Sequence, residues 1–115
     1  MNINYQRLQQ RFYQMAKIGR TPNNGVYRLA LTDEDKAARD LLMTWLTELD
    51  LQIRVDDFGN IYARKEGLRP NLPPVVSGSH LDSVPNGGRF DGALGVLSAL
   101  EVVNTLVENK VQHDH

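Results

Sequence analysis

One stretch of this sequence concentrates residues able to do chemistry: Ser77 to Gly95, SGSHLDSVPNGGRFDGALG. It holds an imidazole, His80, and two carboxylates, Asp82 and Asp91. His80 and Asp82 are two positions apart, a spacing that in extended backbone sends both side chains to the same side. A carboxylate beside an imidazole fixes its tautomer and raises its basicity, the usual support for a metal-binding histidine. Asp91 follows a loop containing Gly87 and Gly88 and is itself followed by Gly92. These glycines permit a sharp return of the chain, which would bring Asp91 back beside His80. A carboxylate placed there can bridge two divalent ions, as a co-catalytic site requires.

Each piece also has a plainer explanation. His-x-Asp triplets arise often by chance, and a histidine can be satisfied within a core. Asp91 suits a helix N-cap. Gly87-Gly88 suits a turn or a backbone nest for phosphate. The phosphate reading fails on detail, because the sequence has no Gly-Lys-Ser/Thr and no G-x-G-x-x-G between strand and helix. Taken together and in this order, the residues favour a metal site. Elsewhere, His113 and His115 can be imagined as a metal-binding pair but are expected to be solvated tail residues. Asp33, Glu34 and Asp35 read as helix-start charges, Asp56-Asp57 as turn chemistry, and Trp45 as core.

The surrounding pattern supplies elements to position these groups. Residues 3–18 read as an amphipathic helix, with Tyr5, Leu8, Phe12 and Met15 on one face. Residues 19–25 (GRTPNNG) are loop chemistry. Thr32 predicts the N-cap of a second helix whose first turn is acidic, as the helix dipole favours. Ala38, Leu41, Leu42, Trp45 and Leu49 form its apolar stripe. Residues 51–56 and 60–65 read as two strands of a hairpin, and residues 66–74 as a proline-broken loop. Val75 to His80 reads as a short, largely buried strand that delivers His80 at its carboxyl end, where sites gather in open α/β sheets. A third helix is expected from about Asp91 to Asn109, with Leu94, Leu97, Ala99 or Leu100, Val103 and Val107 inward. The order helix-helix-strand-strand-strand-helix gives an α/β fold with a small, incomplete sheet.

Bulk properties narrow the function. The 115 residues suit one domain, and 41% hydrophobic against 23% charged residues allow a core. A net charge of -1 without a basic cluster argues against a nucleic-acid partner. No apolar run approaches a membrane span, and the start of the chain lacks a signal-peptide core. The chain has no cysteine, so any metal must bind through His, Asp or Glu. A cytoplasmic protein is expected.

The segment GSHLDSVPNGGRFDGALGVL resembles the metal-binding segment of the M20-type zinc amidohydrolases. It is most similar to the branch containing N-carbamoyl-L-amino-acid hydrolase, allantoate amidohydrolase and β-ureidopropionase. IGRTPNNGVYRLALTDEDKAARDLL and VDDFGNIYARKEG share the likeness, which therefore covers nearly the whole chain. The resemblance implies that residues 1–115 are the amino-terminal portion of a zinc-peptidase-like, three-layer catalytic domain. It implies a hydrolase acting on non-peptide C–N bonds of small carbamoyl or ureido substrates, with two divalent metals (zinc, or manganese, cobalt or nickel). By position, His80 matches the first metal-ligand histidine, Asp91 the bridging carboxylate and Asp82 the aspartate that steadies the histidine and supports catalysis. The general-base glutamate, the remaining ligands and the lid domain that binds substrate and forms the dimer match nothing here. The chain alone is accordingly expected to bind metal weakly, to be inactive and to self-associate. Alternatives are a non-catalytic relic or a small binding module that keeps the fold.

Overall fold

Helix α1 (Tyr5–Lys17) starts where the Asn4 side chain accepts from the Arg7 N–H at 3.0 Å. Helix α2 (Asp33–Thr47) starts at Thr32, whose hydroxyl accepts from the Asp35 N–H at 3.3 Å, with the three acidic residues in its first turn as expected. Strands β1 (Gln52–Val55) and β2 (Ile61–Arg64) pair antiparallel, Gln52 opposite Arg64 and Val55 opposite Ile61. Their turn is organised by Asp56, which accepts from the N–H groups of Phe58 and Asn60 and from the Asn60 side chain. These bonds, the Asn60 side chain foremost, hold the Asp56 carboxyl below its ordinary range. Helix α3 (Ala93–Glu108) closes the order. The computed structural model describes residues 1–115. No helix is long and apolar enough to cross a membrane.

The core is built from one face of each helix and one loop residue. Phe12 and Met15 of α1, Ala38, Leu42, Trp45 and Leu46 of α2, and Ala93, Leu97 and Leu100 of α3 close around Leu81. The α1–α3 contact also contains buried charge. Glu101 of α3 has a side chain only 1% exposed. It accepts from Arg7 Nε at 2.8 Å, Arg7 Nη2 at 2.7 Å and the Asn4 N–H at 2.7 Å. Arg11 lies beside it, donating to Asn104 at 2.9 Å, with its guanidinium 5.5 Å from the Trp45 ring centroid. Burial alone would push the Glu101 carboxyl up; the bonds from Arg7 and Asn4 outweigh burial and hold it below its ordinary value.

Four expectations change. Val75 to His80 is not a strand and is not buried: Val75 and Val76 are 84% and 78% exposed. A strand exists only through a paired neighbour, and no backbone group of residues 74–80 makes a backbone hydrogen bond within the chain. The sheet therefore has two strands rather than three. On α3 the buried side is Ala93, Leu97, Leu100, Glu101, Asn104 and Thr105, while Leu94 is exposed, because the polar network with α1 rotates the helix relative to a purely apolar stripe. Tyr5 is likewise exposed at the start of α1. The tail is docked by its backbone, with His113 half-buried, although His115 stays exposed as expected. The Leu68 and Arg69 N–H groups donate to the carbonyls of His113 and Asp114, and Lys65 Nζ donates to Val111 O at 2.9 Å.

Neutralising Glu101 leaves Arg7 with Glu108 alone and removes the charge that accepts its fork and the Asn4 N–H. Glu101→Gln should lower stability by about 3 kcal/mol, measured by urea unfolding. Because the folded carboxyl sits below its ordinary value of 4.5, its contribution should be complete above that pH and fade as pH falls through the folded value. The variant should lose that acid-dependent part of the wild-type profile.

Candidate metal centre

The loop bearing His80 is pinned from below by Arg28. This residue is 2% exposed. Its Nε donates to Leu81 O at 2.7 Å, and its Nη1 donates to Ile18 O at 2.8 Å and Met15 O at 3.1 Å. Desolvation lowers its pKa, partly offset by Asp35 and Asp82. The Arg28 N–H donates to Ser83 Oγ at 2.9 Å, and the Ser83 N–H donates back to Arg28 O at 2.7 Å. Further along, Val26 and Gly87 exchange two backbone bonds, each 2.8 Å. Leu81 and Ser83 therefore face inward and are buried, and the residues next to them, His80 and Asp82, face out.

His80 and Asp91 meet. His80 Nε2 lies 3.8 Å from Asp91 Oδ1. On the other side of the ring, Nδ1 lies 3.0 Å from the backbone carbonyl oxygen of Asp82 and 3.3 Å from its Oδ1. A carbonyl oxygen can only accept, so the neutral ring carries its proton on Nδ1. The Nε2 lone pair then faces a carboxylate that is also a lone-pair donor. Two such groups repel unless a proton or a metal cation lies between them. The side chains of His80, Asp82 and Asp91 are 49%, 42% and 69% exposed, so the site opens to solvent.

Gly92 makes this approach possible. Its φ of +70° is strained for any other residue, and a Cβ there would lie 2.5 Å from His80 Nδ1. Asp91 is not the cap of α3; the N-cap is Gly92, with no side-chain bond. His80 is no core histidine either, since the ring is half exposed. Gly88, by contrast, has no positive φ, and a Cβ there would meet nothing within 4 Å.

Two protein donors converge here, and no group of three or more His, Cys, Asp or Glu side chains is placed to hold a metal anywhere in the chain. His113 and His115 form no such pair. His113 Nε2 is 3.1 Å from Lys65 Nζ and its Nδ1 contacts His115 O, while His115 Nδ1 is 2.8 Å from Pro73 O. A cavity of about 450 Å³ adjoins the site, reaching from His80 and Asp82 to Leu42 and Leu46 of α2, Ile61 of β2 and Val103 of α3. Sequence reasoning missed Arg28 and Ser83. Nothing in their local pattern announces that two residues 55 apart in sequence exchange hydrogen bonds.

No protein-family model matches the chain. Over 115 residues, all of this chain, it is 46% identical to N-carbamoyl-L-amino-acid amidohydrolase of Pseudomonas sp. (strain NS671), of which it covers 28%. It is 38% identical over 99 residues to ureidoglycolate hydrolase of Arabidopsis thaliana, 86% of this chain and 21% of that protein. The crystal structure of an amidase of the hydantoinase/carbamoylase family from Burkholderia vietnamiensis superposes with a TM-score of 0.95 at 47% identity, covering 98% of this chain and 27% of that one. By name these relatives are hydrolases and amidases. The chain belongs to the hydantoinase/carbamoylase family, matching its amino-terminal part, and spans 28% of the length of the Pseudomonas relative.

Gly92→Ala should destabilise the chain by roughly 1–3 kcal/mol through its backbone conformation, with a further loss from the displaced His80 ring. Gly88→Ala should change stability by less than about 0.5 kcal/mol. Thermal unfolding of the two variants checks both.

Proposed function

We propose that this chain carries the first metal-binding segment of an amidohydrolase that cleaves a carbamoyl or ureido C–N bond of a small, amino-acid-like substrate. The observation that carries the reading is the convergence of the His80 Nε2 lone pair and the Asp91 carboxylate at 3.8 Å, with Nδ1 occupied by Asp82. In this reading His80 and Asp91 are ligands of divalent metal, zinc or alternatively manganese, cobalt or nickel. Zinc bonds of about 2.0–2.2 Å to nitrogen and oxygen suit two donors set nearly this far apart. A bound divalent ion would supply Lewis acidity toward the substrate carbonyl and lower the pKa of water. Asp82 holds the ring in the tautomer that leaves Nε2 free to bind. The substrate class follows the names of the relatives, N-carbamoyl-L-amino-acid amidohydrolase and ureidoglycolate hydrolase.

Two donors are fewer than the three protein ligands of a catalytic zinc site. Of the nearby carboxylates, Asp82 lies against His80 Nδ1, Asp91 faces Nε2 as a ligand, and Asp35, which lines the adjoining cavity, accepts from the Leu31 N–H at 3.0 Å. A free general base within hydrogen-bond reach is therefore missing. Substrate positioning, worth roughly 7–11 kcal/mol in well-oriented reactions, has only the open cavity to rely on. The 115-residue chain by itself is on this reading a weak metal binder without turnover. Its metal-binding, small-molecule substrate and dimeric assembly belong to the complete family architecture. The unpaired backbone of residues 74–80 favours self-association of the isolated chain.

Calorimetric titration with Zn²⁺ tests the ligand assignment. Weak binding is expected in the wild type, lost in His80→Ala and in Asp91→Ala and retained in His113→Ala. Binding abolished by His113→Ala alone would transfer the site to the tail. Ammonia release from N-carbamoyl amino acids with Mn²⁺ or Co²⁺ tests the second part. No turnover is expected from this chain, and turnover lost in Asp91→Ala would contradict the reading.

A further inference from the structure

We infer that Arg28 is a positioning residue for the metal centre, acting through the two peptide planes on either side of Asp82; this rests on the metal-site reading of His80 and Asp91. The Arg28 guanidinium is buried yet has no carboxylate within bonding distance. All its hydrogen bonds go to the carbonyls of Leu81, Met15 and Ile18. Burying a cation without an ionic partner is costly. An apolar residue would fill the space without that cost, so what the guanidinium adds is directional. Only a fork of fixed donors reaches the end of α1 and the loop at Leu81 together.

The geometry shows what this direction governs. A peptide unit is planar, so the C=O of one residue and the N–H of the next turn together. The Arg28 side chain holds Leu81 O at 2.7 Å and thereby the plane that enters Asp82. The Arg28 backbone oxygen holds the Ser83 N–H at 2.7 Å and thereby the plane that leaves it. That second plane contains the Asp82 carbonyl, which takes the proton of His80 Nδ1. The guanidinium thus fixes the plane that enters Asp82, the backbone of residue 28 fixes the plane that leaves it, and the two together set the direction of the carbonyl that selects the His80 tautomer and leaves Nε2 free toward Asp91. The Ser83 hydroxyl, accepting from the Arg28 N–H, keeps the two segments in register.

Two readouts at the site separate positioning from bulk stability: the His80 tautomer of the metal-free chain, read from ring ¹⁵N shifts at mildly alkaline pH, and the Zn²⁺ dissociation constant by calorimetry. The wild type should show the Nδ1–H form. Arg28→Lys keeps the charge but loses the fork, and should give mixed tautomers and a roughly 10- to 100-fold weaker Zn²⁺ affinity, the range seen when supports of metal ligands are removed. Ser83→Ala should shift both readouts the same way, and carries the test if circular dichroism shows Arg28→Lys to be unfolded. Glu101→Gln, destabilising but remote, should move neither. A folded Arg28→Lys or Ser83→Ala with the wild-type tautomer and affinity would overturn the inference, as would mixed tautomers in the wild type. Failure of the metal reading looks different: Zn²⁺ affinity would then be the same in wild type and His80→Ala, and the tautomer would still decide the role of Arg28.

Discussion

Three carbonyl oxygens from separate parts of the chain meet at one buried guanidinium. Two, from Met15 and Ile18, close the carboxyl end of α1; the third, from Leu81, lies in the loop that carries His80. Buried carbonyls left without donors cost free energy comparable to a lost hydrogen bond. The approach of α1 to this loop therefore depends on Arg28 in a way that apolar packing cannot replace. Leu81 enters the core beside this contact, and its neighbours His80 and Asp82 are turned outward as a consequence. On the opposite side, Gly92 lets the start of α3 press against the His80 ring. The site is thus gripped from two directions by backbone constraints, although its own side chains are largely in solvent.

Much of this was legible in the sequence where the cause is local. The Thr32 cap and its acidic turn mark the start of α2, because capping is decided within four residues. Asp56 and Asn60 mark the hairpin turn for the same reason. The meeting of His80 with Asp91 was legible through the glycines between and beside them, and Gly92 is the one that the contact requires. Non-local causes were not legible. Val75 and Val76 have strand-forming side chains, but pairing is decided by a neighbour, and the chain offers none. Apolar periodicity misplaces Leu94 on the inward face of α3, because Glu101, Asn104 and Thr105 are buried through partners on α1 or within the helix. The docked tail depends on Lys65 and on loop residues more than forty positions earlier.

One side of the surface is open and apolar. Leu31, Phe58, Val75 and Val76 are exposed, and the cavity between α2, the hairpin and α3 is lined mainly by apolar side chains. Residues 77–80, which line it, have no backbone hydrogen bond to other backbone. Open strand edges and contiguous apolar surface are where proteins associate. On the α1–α3 contact, by comparison, the buried group is the Glu101 carboxylate, paired with Arg7 at 2.7 Å.

On the proposed reading, His80 and Asp91 face each other because a divalent cation belongs between them. Diffraction from crystals of the chain grown with Zn²⁺, measured across the zinc absorption edge, tests this most directly. The predicted result is an anomalous peak about 2.0–2.2 Å from both His80 Nε2 and an Asp91 carboxylate oxygen, with Nδ1 still on the Asp82 carbonyl. A peak only at His113 or His115, or no peak with the His80 ring turned away from Asp91, would contradict it.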